Sequence, residues 1–68
     1  MWIRYDEETD ILHIRLDSSA EQFRNEVHSD DLFEVVFDID GEDRIAGIDI
    51  LDASKRVNLG AVVLVPES

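Results

Sequence analysis

The carboxylates of Asp38, Asp40, Glu42 and Asp43 crowd around Gly41, and oxygen ligands of this kind are what hard cations such as calcium or magnesium take. The Asp-x-Asp-Gly order is that of the opening of a calcium loop. An EF-hand loop requires further ligands at fixed later positions and a closing glutamate, whereas here the chain turns at once into the apolar run Ile45 to Leu51. Aspartate and glycine are also what hairpin turns select. A solvated turn is the preferred reading. A metal-ion-binding protein or metal-dependent enzyme using Asp38, Asp40, Glu42 and Asp43 is the alternative.

Two carboxylates brought close together act as general acid and base when a cleft shifts one of their pKa values. Asp38 and Asp49 fall where a hairpin would bring them near each other, but a single sheet of this size offers little concavity. His13 and His28 lack a cysteine, serine or second histidine at a spacing that suggests a triad or a metal site. Both read as surface histidines, and no catalytic or cofactor-binding residue is expected.

The elements that must position these groups are strands. Glu34 to Ile39 and Ile45 to Leu51 are β-branched and aromatic runs separated by turn-forming residues, which is a hairpin at the centre of a sheet. Gly41 falls where a positive φ is cheap. Gly47 inside the second run marks a bulge or a neighbour packing over the missing side chain. Upstream, Trp2 to Tyr5 and Ile11 to Leu16 flank the polar turn Asp6 to Asp10, and Leu12, Ile14 and Leu16 alternate with His13 and Arg15. This predicts a first hairpin with Ile3 and Tyr5 on the buried face and Trp2 opposite, as a lid or an interface anchor.

Between the hairpins, Ser19 and Gln22 have capping-box spacing, but Phe23, Asn25 and Val27 line one side of an extended run, so a short irregular strand is preferred. Asp52 is expected to cap a helical turn from Ala53 to Val57 that Gly60 ends. Ala61 to Val65 then reads as a last strand stopped by Pro66. Without a partner in its own chain, that strand would be an edge at which dimers form.

The chain has 68 residues and no cysteine, so it forms one domain that buries only about 60% of its unfolded surface and has no disulfide or zinc staple. Seventeen acidic residues face six scattered cations, for a net charge of -11. Such a surface repels phosphate backbones, which excludes direct nucleic-acid binding and favours a basic protein partner. There is no signal-peptide pattern, and the apolar tail is too short to cross a bilayer. Cytoplasmic residence without membrane association is expected.

Tyr5-Asp6, Asp10 to Leu16, Asp38 to Gly41, and Gly47 to Ser54 together resemble the family of small proteins catalogued as domain of unknown function 2283. Its pattern runs through a YD-x-E-x-D turn, a YIRL-type strand, a DxDG turn and a GIEILDAS ending. The chain departs from it with Asp49 for the usual Glu, His13 for a frequent Tyr, and an added apolar tail after Asn58. The resemblance implies a β-rich α+β fold with a short helix and no established catalytic residues. By genomic company, it also implies an antitoxin-like role against small ribonuclease-like toxins.

The expected protein is thus an α+β domain, an antiparallel meander of about five strands with one short C-terminal helix and a terminal strand. It is expected to be a non-catalytic interaction module without a cofactor, homodimeric, and to meet a partner through Trp2, His13, Val63 and Val65.

Overall fold

Alternating apolar and polar residues build strands here, and the computed structural model, which describes residues 1–67, arranges them in one layer. Strands β1 (Trp2–Asp6), β2 (Ile11–Arg15), β3 (Phe23–Ser29), β4 (Glu34–Asp40) and β5 (Ile45–Leu51) form an antiparallel sheet, followed by a single helical turn α1 (Ala53–Arg56) and a 3-10 turn (Leu59–Ala61). The fold is dominated by the sheet. Among the described residues no helix is long and apolar enough to cross a membrane.

Strand order is β1-β2-β5-β4-β3, which corrects the expected meander. The last strand is inserted beside the second, so the β1–β2 hairpin joins the β3–β4–β5 meander through β5. The order gathers apolar residues into rows. Ile3, Ile14, Ile48 and Phe37 form one cross-strand row, and Tyr5, Leu12, Ile50 and Val35 form the next. On that face β3 contributes only Glu26 and His28 to the two rows, so it lies at the margin. Among the described residues the buried apolar side chains are Leu12, Ile39, Ala46 and Ala53.

The segment expected to be short and irregular is a seven-residue strand, β3, paired with β4 along its whole length. Ser19 does not open a helix; its amide and hydroxyl instead donate to the Asp17 carboxylate, at 2.9 and 2.5 Å. In the β4–β5 turn the left-handed residue is Asp43, with φ 62°, and not Gly41. A bulge lies beside Gly47: Asp38 pairs with Gly47 and Ile39 with Ile45, which leaves Ala46 of β5 without a partner on β4. The Ala46 carbonyl accepts the amides of Leu16 and Asp17 at 2.8 and 3.0 Å.

Asp52 stands before α1 with a left-handed backbone, φ 52°, and its side chain makes no cap bond. Capping falls to Asp10, from the β1–β2 turn. Its carboxylate accepts the amide and hydroxyl of Ser54 at 2.9 and 2.7 Å and the Tyr5 hydroxyl at 2.7 Å, while its carbonyl accepts the Ala53 amide at 3.0 Å. The tail also departs from expectation. Leu59–Ala61 is a 3-10 turn, and in place of a strand over Ala61 to Val65 there is one bridge, from Val65 to Ile3 within the same chain. Ile3 and Val65 exchange both backbone bonds, at 2.8 and 3.1 Å, and Pro66, with no amide hydrogen, follows.

The Asp10 clasp has a titration signature. Hydrogen bonds from Ser54 and then Tyr5 hold the Asp10 carboxyl below its ordinary range, and the bond to Asp10 pushes the Tyr5 hydroxyl up to about 12. For Asp10, whose folded pKa is depressed, the stabilisation is present above the unfolded value and lost as pH falls through the folded one. For Tyr5, with a raised pKa, it is complete below 10.0 and lost as pH rises toward about 12. Tyr5 is the only tyrosine, so phenolate absorbance reports it alone. Its midpoint is expected at about 12 and should fall toward the ordinary value in Asp10→Asn; an unchanged midpoint would show that Asp10 is not the cause.

Candidate functional site

The sheet face opposite the apolar rows carries the polar chemistry. One row crosses all five strands through Trp2, Arg15, Gly47, Asp38 and Asn25, and the adjacent row contains Arg4, His13, Asp49, Val36 and Val27. The strands alone place these residues together.

In the first row the Arg15 guanidinium reaches across Gly47 to Asp38, with Nη2 at 3.1 Å from Oδ2. A side chain at Gly47 would block this path. A Cβ there would lie 2.9 Å from Asp38 Oδ2 and 3.0 Å from Arg15 Nη1. Asp38 is 3% exposed, and a carboxylate so enclosed requires a paired charge and further donors; Asn25 Nδ2 supplies one at 2.6 Å. Arg15 Nη1 is buried without a hydrogen-bond partner among the described residues. Its guanidinium carbon lies 4.9 Å from the Phe23 ring centre and 6.0 Å from that of Trp2, so aromatic faces supply the compensating attraction.

In the second row His13 Nδ1 lies 2.8 Å from Asp49 Oδ1. His13, expected on an open surface, is half-buried in a cross-strand pair. Asp38 and Asp49 share this face as diagonal neighbours, since Asp49 stands opposite Val36 and Asp38 opposite Gly47. Each has its own cationic or imidazole partner.

Around Gly41 the acidic side chains are drawn to amides and arginines. Asp40 accepts the Glu42 and Arg44 amides and the Arg44 side chain at 2.9, 2.9 and 3.1 Å, with the Arg44 amide foremost in holding its carboxyl below the usual range. Glu42 pairs with Arg44 at 3.5 Å and Asp43 with Arg24 at 2.9 Å. Asp38 belongs to the Arg15 row. Among the described residues no cluster of three or more histidine, cysteine or carboxylate side chains is arranged to hold a metal ion.

Of the residues expected to meet a partner, Trp2 stacks on Arg4 at 5.0 Å, Val63 is 77% exposed, and Val65 is bonded to Ile3. Arg15 and Asn25 were not singled out from sequence. The available signal was an arginine on the outer face of a strand, together with a glycine inside another that leaves room for it.

The model of the family described as protein of unknown function (DUF2283) matches residues 2–54. This is most of the chain, and the chain belongs to that family. No curated protein and no solved structure matches it. The matched stretch runs from Trp2 to Ser54, so it includes both the Arg15 row and the Asp10 clasp and leaves out the tail bonded to β1. Two of the three departures from the family pattern, His13 and Asp49, lie directly opposite each other and bond to each other.

Gly47→Ala is expected to lower stability by about 1–3 kcal/mol, the usual cost of overpacking, because the Arg15–Asp38 pair must move. Urea unfolding of the two proteins measures this. An unchanged midpoint would mean that the pair adjusts freely.

Proposed function

We propose that this DUF2283-family protein is a non-catalytic interaction module that acts by occupying a basic protein surface, as an antitoxin-like inhibitor of a ribonuclease-like toxin would. The observation that carries this reading is the distribution of unpaired acid. Strands β1, β3 and β5 run in one direction and β2 and β4 in the other, so the β1–β2 turn, the β3–β4 turn and the exit of β5 share one end of the sheet. Glu7, Glu8, Asp30, Asp31, Glu34 and Asp52 are exposed there. Ion pairs among the described residues engage none of them.

An acidic edge on which Lys55 and Arg56 are outnumbered by carboxylates attracts a basic surface over about 8 Å at physiological salt, speeding encounter and rejecting like-charged competitors. A nuclease surface built to hold phosphates is such a partner. Amides of Leu32 and Phe33 keep Asp30 ionised by lowering its pKa, and Asp6 is lowered by its bonds within the β1–β2 turn, that from Thr9 foremost.

The test compares the native chain with a Glu7→Gln, Glu8→Gln, Asp31→Asn, Glu34→Gln variant as bait in native lysate, followed by a ribonuclease assay on what is captured. The expected result is one small basic protein held by the native chain at low salt, released at moderate salt, lost from the variant and inhibited when the chain is added back. Capture that ignores the substitutions, or a captured set without a basic protein, would overturn the proposal.

A further inference from the structure

The two margins of the sheet are treated differently. Beside β1, the edge is occupied by Val65, bonded in both directions to Ile3 and followed by Pro66. At the other margin β3 pairs only with β4, and all seven of its residues are exposed. Native edges are protected by proline, bulges, lysines, inward charges or a covering segment. Phe23–Ser29 has no proline or lysine, its pairing with β4 is continuous, and its charges on the apolar-row side, Arg24 and Glu26, are of opposite sign.

We infer that β3 is the interface of a homodimer, in which β3 of a second copy pairs antiparallel to it about a two-fold axis through Asn25. This register sets Arg24 opposite Glu26 of the second copy, Phe23 opposite its Val27, and Asn25 opposite its Asn25. Two charge pairs form, in each of which Arg24 is shared between its own Asp43 and Glu26 of the second copy, and two aromatic–aliphatic pairs form, the cross-strand combinations that stabilise sheets. Phe23 and Val27, now 42% and 59% exposed, cover each other's surface. Asn25 donates one amide hydrogen to Asp38, leaving the other hydrogen and the carbonyl for its counterpart.

Neighbouring registers fit less well. An axis through Arg24 or Glu26 opposes like charges, and one through Val27 sets Phe23 opposite Asp31. The occupant follows from charge: in a chain of net charge -11, β3 carries one arginine and one glutamate, so its edge meets another copy without the repulsion of the acidic end. The Arg15 row would then continue through Asn25 into the second copy, joining the two polar faces across one ten-stranded sheet.

The test is sedimentation equilibrium of the full chain at micromolar concentrations. The native protein is expected to be dimeric. Arg24→Glu or Glu26→Arg alone should raise the dissociation constant at least about tenfold, since each turns two attractive cross-strand pairs repulsive, and the double exchange should restore association. Circular dichroism of each variant separates loss of pairing from loss of fold. In this cysteine-free chain, Asn25→Cys should oxidise to a covalent dimer and Val63→Cys should not. A monomeric native chain, single exchanges without effect, or cross-linking through Val27→Cys instead of Asn25→Cys would each overturn the assignment.

Discussion

The pairing of β2 with β5 is the constraint on which the rest of this small structure depends. It is the one strand contact not made through a tight turn, and it joins a hairpin near the start of the chain to a meander that ends much later. Bringing such distant segments together costs loop-closure entropy that local turns do not. Two devices secure the joint at opposite ends. At one, Asp10 accepts Ser54 and Tyr5 while its carbonyl takes the Ala53 amide; at the other, the Ala46 bulge carbonyl accepts the amides leaving β2. Ala53 and Ala46, the residues at these two points, have no exposed surface.

Between those ends, the polar face depends on an absent side chain. Gly47 leaves a channel through which Arg15 reaches Asp38, so a residue chosen for lack of bulk determines where a buried charge finds its partner. The cost of enclosing Asp38 is met by Arg15 and Asn25 together. Among the described residues, Arg15 Nη1 is left without a hydrogen-bond partner, while the guanidinium carbon lies over aromatic rings. Packing and electrostatics on this face are therefore one problem, and Trp2 and Phe23 serve both by covering the guanidinium and attracting it.

The hairpins were legible because period-two alternation and turn residues act locally: Leu12 and Ile14 face away from His13 and Arg15 in sequence and in structure, and Gly47 does mark both a bulge and a close neighbour. Strand order was not legible, because β2 and β5 meet across a long connection that no turn chemistry specifies. Asp52 looked like the helix cap because it directly precedes Ala53; its left-handed backbone leaves that task to Asp10, which is distant in sequence. In the same way Asp43, and not Gly41, takes the positive φ, since aspartate tolerates that conformation when hydrogen bonds hold the turn. Alternation gives His13 its face but not its partner Asp49, because cross-strand partners depend on strand order.

The charge pattern follows the same division between joint and periphery. Asp38, Asp49 and Asp40 are matched by Arg15, His13 and Arg44 within the sheet's polar rows and the β4–β5 turn, so they contribute to the fold, while the exposed Asp43–Arg24 pair adds little. At the opposite end Asp10 and Asp30 hold the turns, while among the described residues Glu7, Glu8, Asp31, Glu34 and Asp52 enter no ion pair. Stability and long-range attraction are thus assigned to different residues. The charge of those free carboxylates can therefore change without loosening the β2–β5 joint, which matters in a chain with so small a core.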